Sequence, residues 1–207
     1  YPPSAFYSAM NMLGTHDTPR ILTLLGLSAH SDLDAKAERA AYHLREDECQ
    51  LGLQRLRLAA LLLFTFPGSP TVFYGDEAGM EGFEDPLNRG TFPWGKENLA
   101  LQDLYRQLGA LRKDCVPLRR GDIAYLYAQG AGLSFARTWD GERAVTVLNA
   151  GPSVLELSLP LPEGLFTDAL TRQRFFARDG LLRISLPPLT GVILLGGSGA
   201  NVSRETL

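Results

Sequence analysis

Asn11-Met12-Leu13-Gly14-Thr15-His16-Asp17-Thr18-Pro19-Arg20 is the stretch around which the rest of the chain can be ordered. An apolar run from Tyr7 to Leu13 stops at a glycine, a histidine and an aspartate follow side by side, and Thr18-Pro19 turns the chain away. A buried strand that ends this way delivers two polar side chains to the mouth of a pocket. Ahead of it, Ala5 opens with helical spacing before the run becomes a strand.

A second strand end of the same kind lies downstream. Leu53 to Thr65 carries apolar residues at 53, 56, 60, 63 and 64, the stripe of a helix packed on a core, and Pro67-Gly68 ends it. Pro70-Thr71-Val72-Phe73-Tyr74 is a short β-branched and aromatic run, closed by Gly75 and followed at once by Asp76 and Glu77. Strand, helix and strand therefore recur, each strand finishing in acidic side chains, which is the pattern of a parallel βαβ unit with its site at the carboxyl ends of the strands. Between them, Ile21 to Leu27 is apolar and helix-like, and Ser28 to Gly52 is polar. Within that polar stretch Ala35 to Glu48 is compatible with an exposed helix, for which Ser31 is a candidate cap. Gly79 to Gly95 is a long aperiodic loop, rich in Gly, Pro, Asp and Trp. Asn98 then caps a helix striped by Leu101, Leu104, Tyr105, Leu108 and Leu111, which ends before Pro117.

From Arg119 the texture changes to short β-rich runs near 122–128, 132–137, 143–149, 153–159, 165–170, 173–177, 181–186 and 190–195. Turn signals such as Asp140-Gly141, Gly151-Pro152 and Asp179-Gly180 separate them, and Leu155, Leu157, Leu159 and Leu182, Ile184, Leu186 alternate with polar residues. Regular short strands with such punctuation indicate an antiparallel sandwich. The expected organisation is an α/β domain over 1–117, an all-β sandwich over 118–196 and a frayed tail over 197–207.

The 207 residues carry 45% hydrophobic and 21% charged residues with a net charge of −3, acids and bases well mixed, which gives no electrostatic case for nucleic acid or a membrane surface. The apolar run Leu58 to Phe66 is too short to span a bilayer. Cys49 and Cys115 are far apart, which gives no zinc or redox motif and suits a reducing cytoplasm. The opening Tyr1-Pro2-Pro3-Ser4 enters structured sequence without a methionine or leader, as a piece of a longer chain would.

Two acidic strand ends beside a loop bearing Trp94 and Arg89 have the chemistry of a sugar site. Carboxylates hydrogen-bond hydroxyls and stabilise an oxocarbenium-like transition state, and aromatic faces stack on pyranose rings. Gly14-Thr15-His16-Asp17-Thr18-Pro19-Arg20 resembles the seventh-strand motif of the α-amylase family of glycoside hydrolases. Pro67 through Asp76-Glu77 resembles its eighth-strand motif, and Asp85-Pro86-Leu87-Asn88-Arg89 with Trp94 resembles the loop that follows. The wording is most similar to the neopullulanase, cyclomaltodextrinase and maltogenic amylase subgroup. The resemblance implies the last two β/α units of a (β/α)8 TIM barrel followed by the family's C-terminal antiparallel β-sandwich. It makes Asp17 the third catalytic aspartate, which binds and distorts the sugar, and His16 a hydrogen-bonding partner of the same sugar. Asp85 and Arg89 would line donor-side subsites, while Asp76 and Glu77 would hold the strand end. The nucleophile aspartate and acid/base glutamate of such an enzyme belong to earlier strands, and nothing in 1–207 resembles either motif, so the chain alone is expected to be inactive.

The implied ligands are α-glucan oligosaccharides and the implied partner is the remaining, N-terminal part of the same enzyme, with a homodimer of the intact enzyme a further expectation. No metal or cofactor is expected in this chain; calcium, where the family binds it, would sit elsewhere. Two departures from the family's pattern stand out: Thr15 stands where the classical amylases carry Asn, which moves the resemblance towards the cyclodextrin-degrading subgroup, and Gly90-Thr91 follows Arg89 where relatives often carry a further basic residue, which leaves the subsite contacts there open. Plainer readings stand beside these. Asp85 and Arg89 form a loop-fixing salt bridge, Trp94 is a buried loop anchor, Trp139 is a core residue, and His30 and His43 are solvated. The alternative functions are a non-catalytic scaffold and a carbohydrate-binding module, the latter disfavoured by the lack of an aromatic platform in 120–195.

Overall fold

A computed structural model describes residues 2–27 and 36–197, with Lys36 described by its backbone alone. Ser31, His30 and the tail beyond Gly197 lie outside the described residues. The chain divides into two compact units, 1–109 and 110–207.

In the first unit, α1 (Pro3–Tyr7) starts with a proline whose fixed φ suits the first helical position, and leads into β1 (Met10–Met12). Next come α2 (Ile21–Gly26), α3 (Lys36–Ala41), α4 (Glu46–Thr65) and β2 (Ser69–Thr71). β1 and β2 pair in parallel, with Met10 opposite Ser69 and Met12 opposite Thr71. The helical crossover between parallel strands is the βαβ unit read from the sequence. Beyond β2 a 3-10 turn (Leu87–Arg89) interrupts the long loop. α5 (Leu99–Asp114) then begins where Asn98 Oδ1 accepts the Leu101 N–H at 3.0 Å. Leu101, Tyr105 and Leu108 form its buried stripe, and Phe64 of α4 meets Tyr105 edge-on at 5.8 Å.

The helices depart from expectation at one boundary here. α4 begins at Glu46, seven residues ahead of the apolar stripe, and the expected helix over 35–48 is broken before it. Glu46, Asp47 and Glu48 place negative charge at the helix amino end, and the buried Glu48 carboxylate accepts the Arg45 N–H at 3.0 Å. Those charges and that cap favour nucleation there, and apolar periodicity does not register them.

In the second unit, α6 (Val116–Arg120) carries Pro117 within its first turn, where a missing N–H costs nothing. α5 ends before this proline, as expected, and α6 is an addition that the apolar periodicity does not signal. Eight strands follow: β3 (Asp122–Gln129), β4 (Gly132–Trp139), β5 (Glu142–Asn149), β6 (Leu155–Pro160), β7 (Gly164–Asp168), β8 (Arg174–Ala177), β9 (Leu181–Leu186) and β10 (Thr190–Gly197). They form a six-stranded sheet in the order β3-β4-β5-β10-β7-β8 and a two-stranded sheet of β6 and β9, antiparallel throughout. Asp140-Gly141 and Asp179-Gly180 all have positive φ, the tight-turn geometry that matches strand twist. The core lies between the sheets, with Ala136, Val145, Val147 and Leu194 on one side and Leu157, Leu159, Leu182, Ile184 and Leu186 on the other. α6 packs against β4, where fully buried Arg137 donates from Nε and Nη2 to the Gly121 carbonyl at 3.0 and 2.8 Å.

The two tryptophans depart from expectation. Trp139 is 43% exposed at the end of β4, and Trp94 is 81% exposed, so neither is a buried anchor. Each sits beside a tight turn or in a loop, where no second layer among the described residues covers the ring.

Candidate functional site

The residues singled out in the sequence cluster at the carboxyl ends of β1 and β2. After β1 the chain forms a small turn: the Thr15 N–H donates to Thr18 Oγ1 at 3.1 Å, the Asp17 N–H to Thr15 Oγ1 at 3.1 Å and the Thr18 N–H to the Thr15 carbonyl at 3.4 Å. Such hydroxyl-to-backbone bonds give the turn a local shape without a tertiary partner. At its apex His16 and Asp17 project outward, His16 Nε2 standing 3.2 Å from Asp17 Oδ1, with side chains 62% and 74% exposed. An exposed carboxylate has free acceptor positions for hydroxyl donors.

Arg20, two residues past the threonine, runs the opposite way, into the interior. It is 1% exposed, donates from Nη1 to the Tyr74 carbonyl, and stands 3.3 Å from Asp76 Oδ1. The rings of Phe73 and Tyr74 lie 4.3 and 4.5 Å from its guanidinium carbon, a cation–π arrangement that offsets part of the desolvation. Burial pushes the Asp76 carboxyl up to about 6; Arg20 pulls it down and Glu77 adds to the rise. Burial thus outweighs the cation beside it. Glu77 accepts the Gly75 N–H at 2.8 Å and borders a groove of about 440 Å³ that Phe64, Val72, Tyr74, Gln102 and Tyr105 also line. The Tyr105 phenol there is raised by burial first and then by Asp76 and Glu77. Both acids of the second strand end therefore make interior or backbone contacts that fix the chain.

In the loop after β2, Arg89 Nε and Asp85 Oδ1 form an exposed ion pair at 2.6 Å. Between them Asn88 is fully buried and donates from Nδ2 to the carbonyls of His16 and Thr18 at 2.7 and 2.8 Å. Further back, Gly82 accepts the Arg20 N–H at 2.8 Å and donates its own N–H to Thr23 Oγ1 at 2.9 Å. The structure thus joins His16 to Asp17, Arg20 to Asp76 and Asp85 to Arg89, and ties the last loop to the first turn through Asn88. Arg20 and Asn88 were quoted within sequence motifs and given no role. The signals were an arginine directly after a strand-ending turn, and an amide enclosed by a loop of Pro and charge. His43, which pairs with Glu81 at 3.8 Å, is 87% exposed as expected.

Among the described residues no group of three or more His, Cys, Asp or Glu side chains is placed to hold a metal ion. Nor is any helix there long and apolar enough to cross a membrane. In the sandwich the aromatic side chains of Tyr125 and Phe176 are exposed, as is Trp139. Tyr125 and Phe176 stand on β3 and β8, the two edges of the six-stranded sheet, roughly 24 Å apart at five strand spacings, too far to act on one ligand face together.

No protein-family model matches the chain. In sequence it is 35% identical to the amylopullulanase of Thermoanaerobacter thermohydrosulfuricus over 98% of this chain and 14% of that protein. It is 34% identical to the cyclomaltodextrinase of Geobacillus thermopakistaniensis over 91% of this chain and 29% of that protein. The chain thus spans less than a third of the length of either curated relative. In structure it is similar to an Anoxybacillus α-amylase, with a TM-score of 0.74 and 27% identity over 91% of this chain and 38% of that one. The Nostoc punctiforme debranching enzyme gives 0.72 and 30% over 96% and 37%.

Proposed function

Over nearly its whole length the chain is homologous to α-amylase family enzymes, and on that premise we propose that it is the carboxyl-terminal part of a retaining α-glucan hydrolase. The parallel pair β1–β2 would be the last two strands of a (β/α)8 barrel, and the β-sandwich the domain that follows it. The observation that carries this reading is the exposed His16–Asp17 pair at the end of β1, beside a strand end whose own acid, Asp76, is buried against Arg20. One carboxylate is thereby left free for ligand while its neighbour is committed to holding the scaffold.

In this reading Asp17 accepts hydrogen bonds from two adjacent hydroxyls of the sugar at the cleavage point. It holds the ring in a distorted shape, in which positive charge develops next to a fixed anion. His16 donates to the same sugar. Asp85 and Arg89, already paired, present a rigid polar edge to neighbouring sugar units, and the exposed Trp94 ring offers a stacking face. The nucleophile and the acid/base would come from strands of the longer enzyme that precede this segment. Substrates are α-1,4-linked, and in part α-1,6-linked, glucans: pullulan and cyclomaltodextrins, which the relatives' names carry, and maltooligosaccharides.

The test is Asp17→Asn in the full-length enzyme, assayed on maltohexaose and pullulan. The expected result is a fall in kcat of about 10²-fold or more with the protein still folded. A variant with turnover within twofold of wild type would remove Asp17 from the chemistry. The 207-residue chain alone is expected to release no reducing sugar from either substrate.

A further inference from the structure

We propose that Asn88 is a positioning residue for Asp17, acting through the backbone on either side of it. The His16 and Asp17 side chains are both more than half exposed, so among the described residues packing does not fix where the carboxylate points. Its direction is set by the turn that carries it. The internal bonds of that turn all run through Thr15 and Thr18, and those to the Thr15 carbonyl are long at 3.4 Å. The tertiary restraint comes from a residue some seventy positions away. Asn88 spends both hydrogens of Nδ2 on the carbonyls of His16 and Thr18, at 2.7 and 2.8 Å, so the two bonds bracket Asp17.

The chemistry of this clamp is selective. Two carbonyl acceptors facing one nitrogen require a donor with two hydrogens, which fixes the amide with Nδ2 toward the turn. Oδ1 on the other side is buried with no hydrogen-bond partner, so the residue is held for its donors. An aspartate of the same shape would set a carboxylate against two carbonyl oxygens. The same loop grips the chain after the turn as well, because Gly82 bonds to the Arg20 N–H and to Thr23 Oγ1. Asn88 also lies between Asp85 and Arg89, so one rigid segment sets Asp17 and that ion pair together. Asn88 itself touches no substrate.

The catalytic half of this inference rests on the reading of Asp17 given above; the clamp itself does not. The experiment compares Asn88→Ala, Asn88→Asp and Asp17→Asn with wild type in the full-length enzyme. It measures kcat and KM on maltohexaose, thermal melting, and amide hydrogen exchange at residues 15–18. In Asn88→Ala the amides of Asp17 and Thr18 are expected to exchange at least about tenfold faster while those of α4 are unchanged. The kcat is expected to fall about 10- to 100-fold with KM changed less than about threefold. Asn88→Asp is expected to be at least as impaired as Asn88→Ala. A purely packing role predicts the reverse order, because Asp fills the same space. Unchanged exchange at 15–18 overturns the clamp; faster exchange with kcat within twofold of wild type overturns its bearing on catalysis. Normal turnover in Asp17→Asn refutes the role of Asp17, and the exchange measurement then still judges the clamp.

Discussion

Gly14, at the exit of β1, and Asp76, after β2, approach so closely that a Cβ on Gly14 would stand 2.6 Å from Asp76 Oδ2. Read in sequence, Gly14 ends a strand. In the fold it is the gap through which the Asp76 carboxylate reaches the buried face where Arg20 waits. Gly14→Ala is therefore expected to push the carboxylate off Arg20 and leave a buried cation poorly paired. The expected loss is about 2–4 kcal/mol of stability, read as a lower denaturation midpoint in urea. A midpoint within experimental error of wild type would mean that the contact yields without cost.

Asp76 also sets a pH dependence. Burial lifts its folded-state pKa to about 6, against about 3.9 for an unfolded aspartate. The folded state therefore holds the proton more tightly than the unfolded state. The stability this group contributes is complete below about pH 4, declines as the pH rises through about 6, and is flat beyond. Arg20, Glu77 and Tyr105 are the titratable or charged groups around it, and Arg20 alone opposes the shift. Replacing it, as Asp76→Asn, keeps an acceptor for Arg20 and removes the titration. Melting curves at intervals from pH 4 to 8 should show the difference between variant and wild type changing across this window. A constant difference would refute the assignment.

In the sandwich, Asn149 at the end of β5 is the polar knot. It is 2% exposed, its Nδ2 shares two hydrogens among the carbonyls of Ser153, Leu186 and Pro187 at 2.8, 3.0 and 2.9 Å, and its Oδ1 accepts the Gly151 N–H at 3.0 Å. It thereby ties the β5 exit to the end of β9, one strand from each sheet. Asn149→Ala removes all of these contacts and leaves their carbonyls short of a donor, for an expected loss on the order of 2–3 kcal/mol. Trp139 fluorescence during urea unfolding, in a Trp94→Phe background, reads this unit alone, since the chain has two tryptophans. An unshifted Trp139 transition would show that water replaces the side chain at no cost.

Much of the β unit was legible because its signals are local. Leu155, Leu157 and Leu159, and Leu182, Ile184 and Leu186, alternate with the pleat and all line the core or its margin. Asp140-Gly141 and Asp179-Gly180 take the positive φ that tight turns demand. The Asp85–Arg89 pair was legible because opposite charges four residues apart in one loop are near neighbours. Reading failed where a local rule met a competing one. α5 ends before Pro117 as expected, but the same proline opens a further short helix, α6, because a residue that forbids a helix interior suits a helix start. Glu46 to Glu48 begin α4 by charge and capping, which the leucine stripe does not report. Trp94 and Trp139 are large apolar rings that composition assigns to the interior; whether anything covers them depends on layers that sequence does not specify.

The candidate site divides along the same line. The sequence by itself determined that two strands end in polar side chains and that His16 and Asp17 stand adjacent on a turn, because strand period, glycine stops and Thr-Pro turns act within a few residues. Only the tertiary structure decided which carboxylate is free and which is committed. Asp76 is buried against Arg20, 56 positions away, and Asn88 holds the carbonyls of His16 and Thr18 across 72 and 70. Those contacts exist because parallel pairing brings the two strand ends side by side, and no period in the chain encodes that proximity.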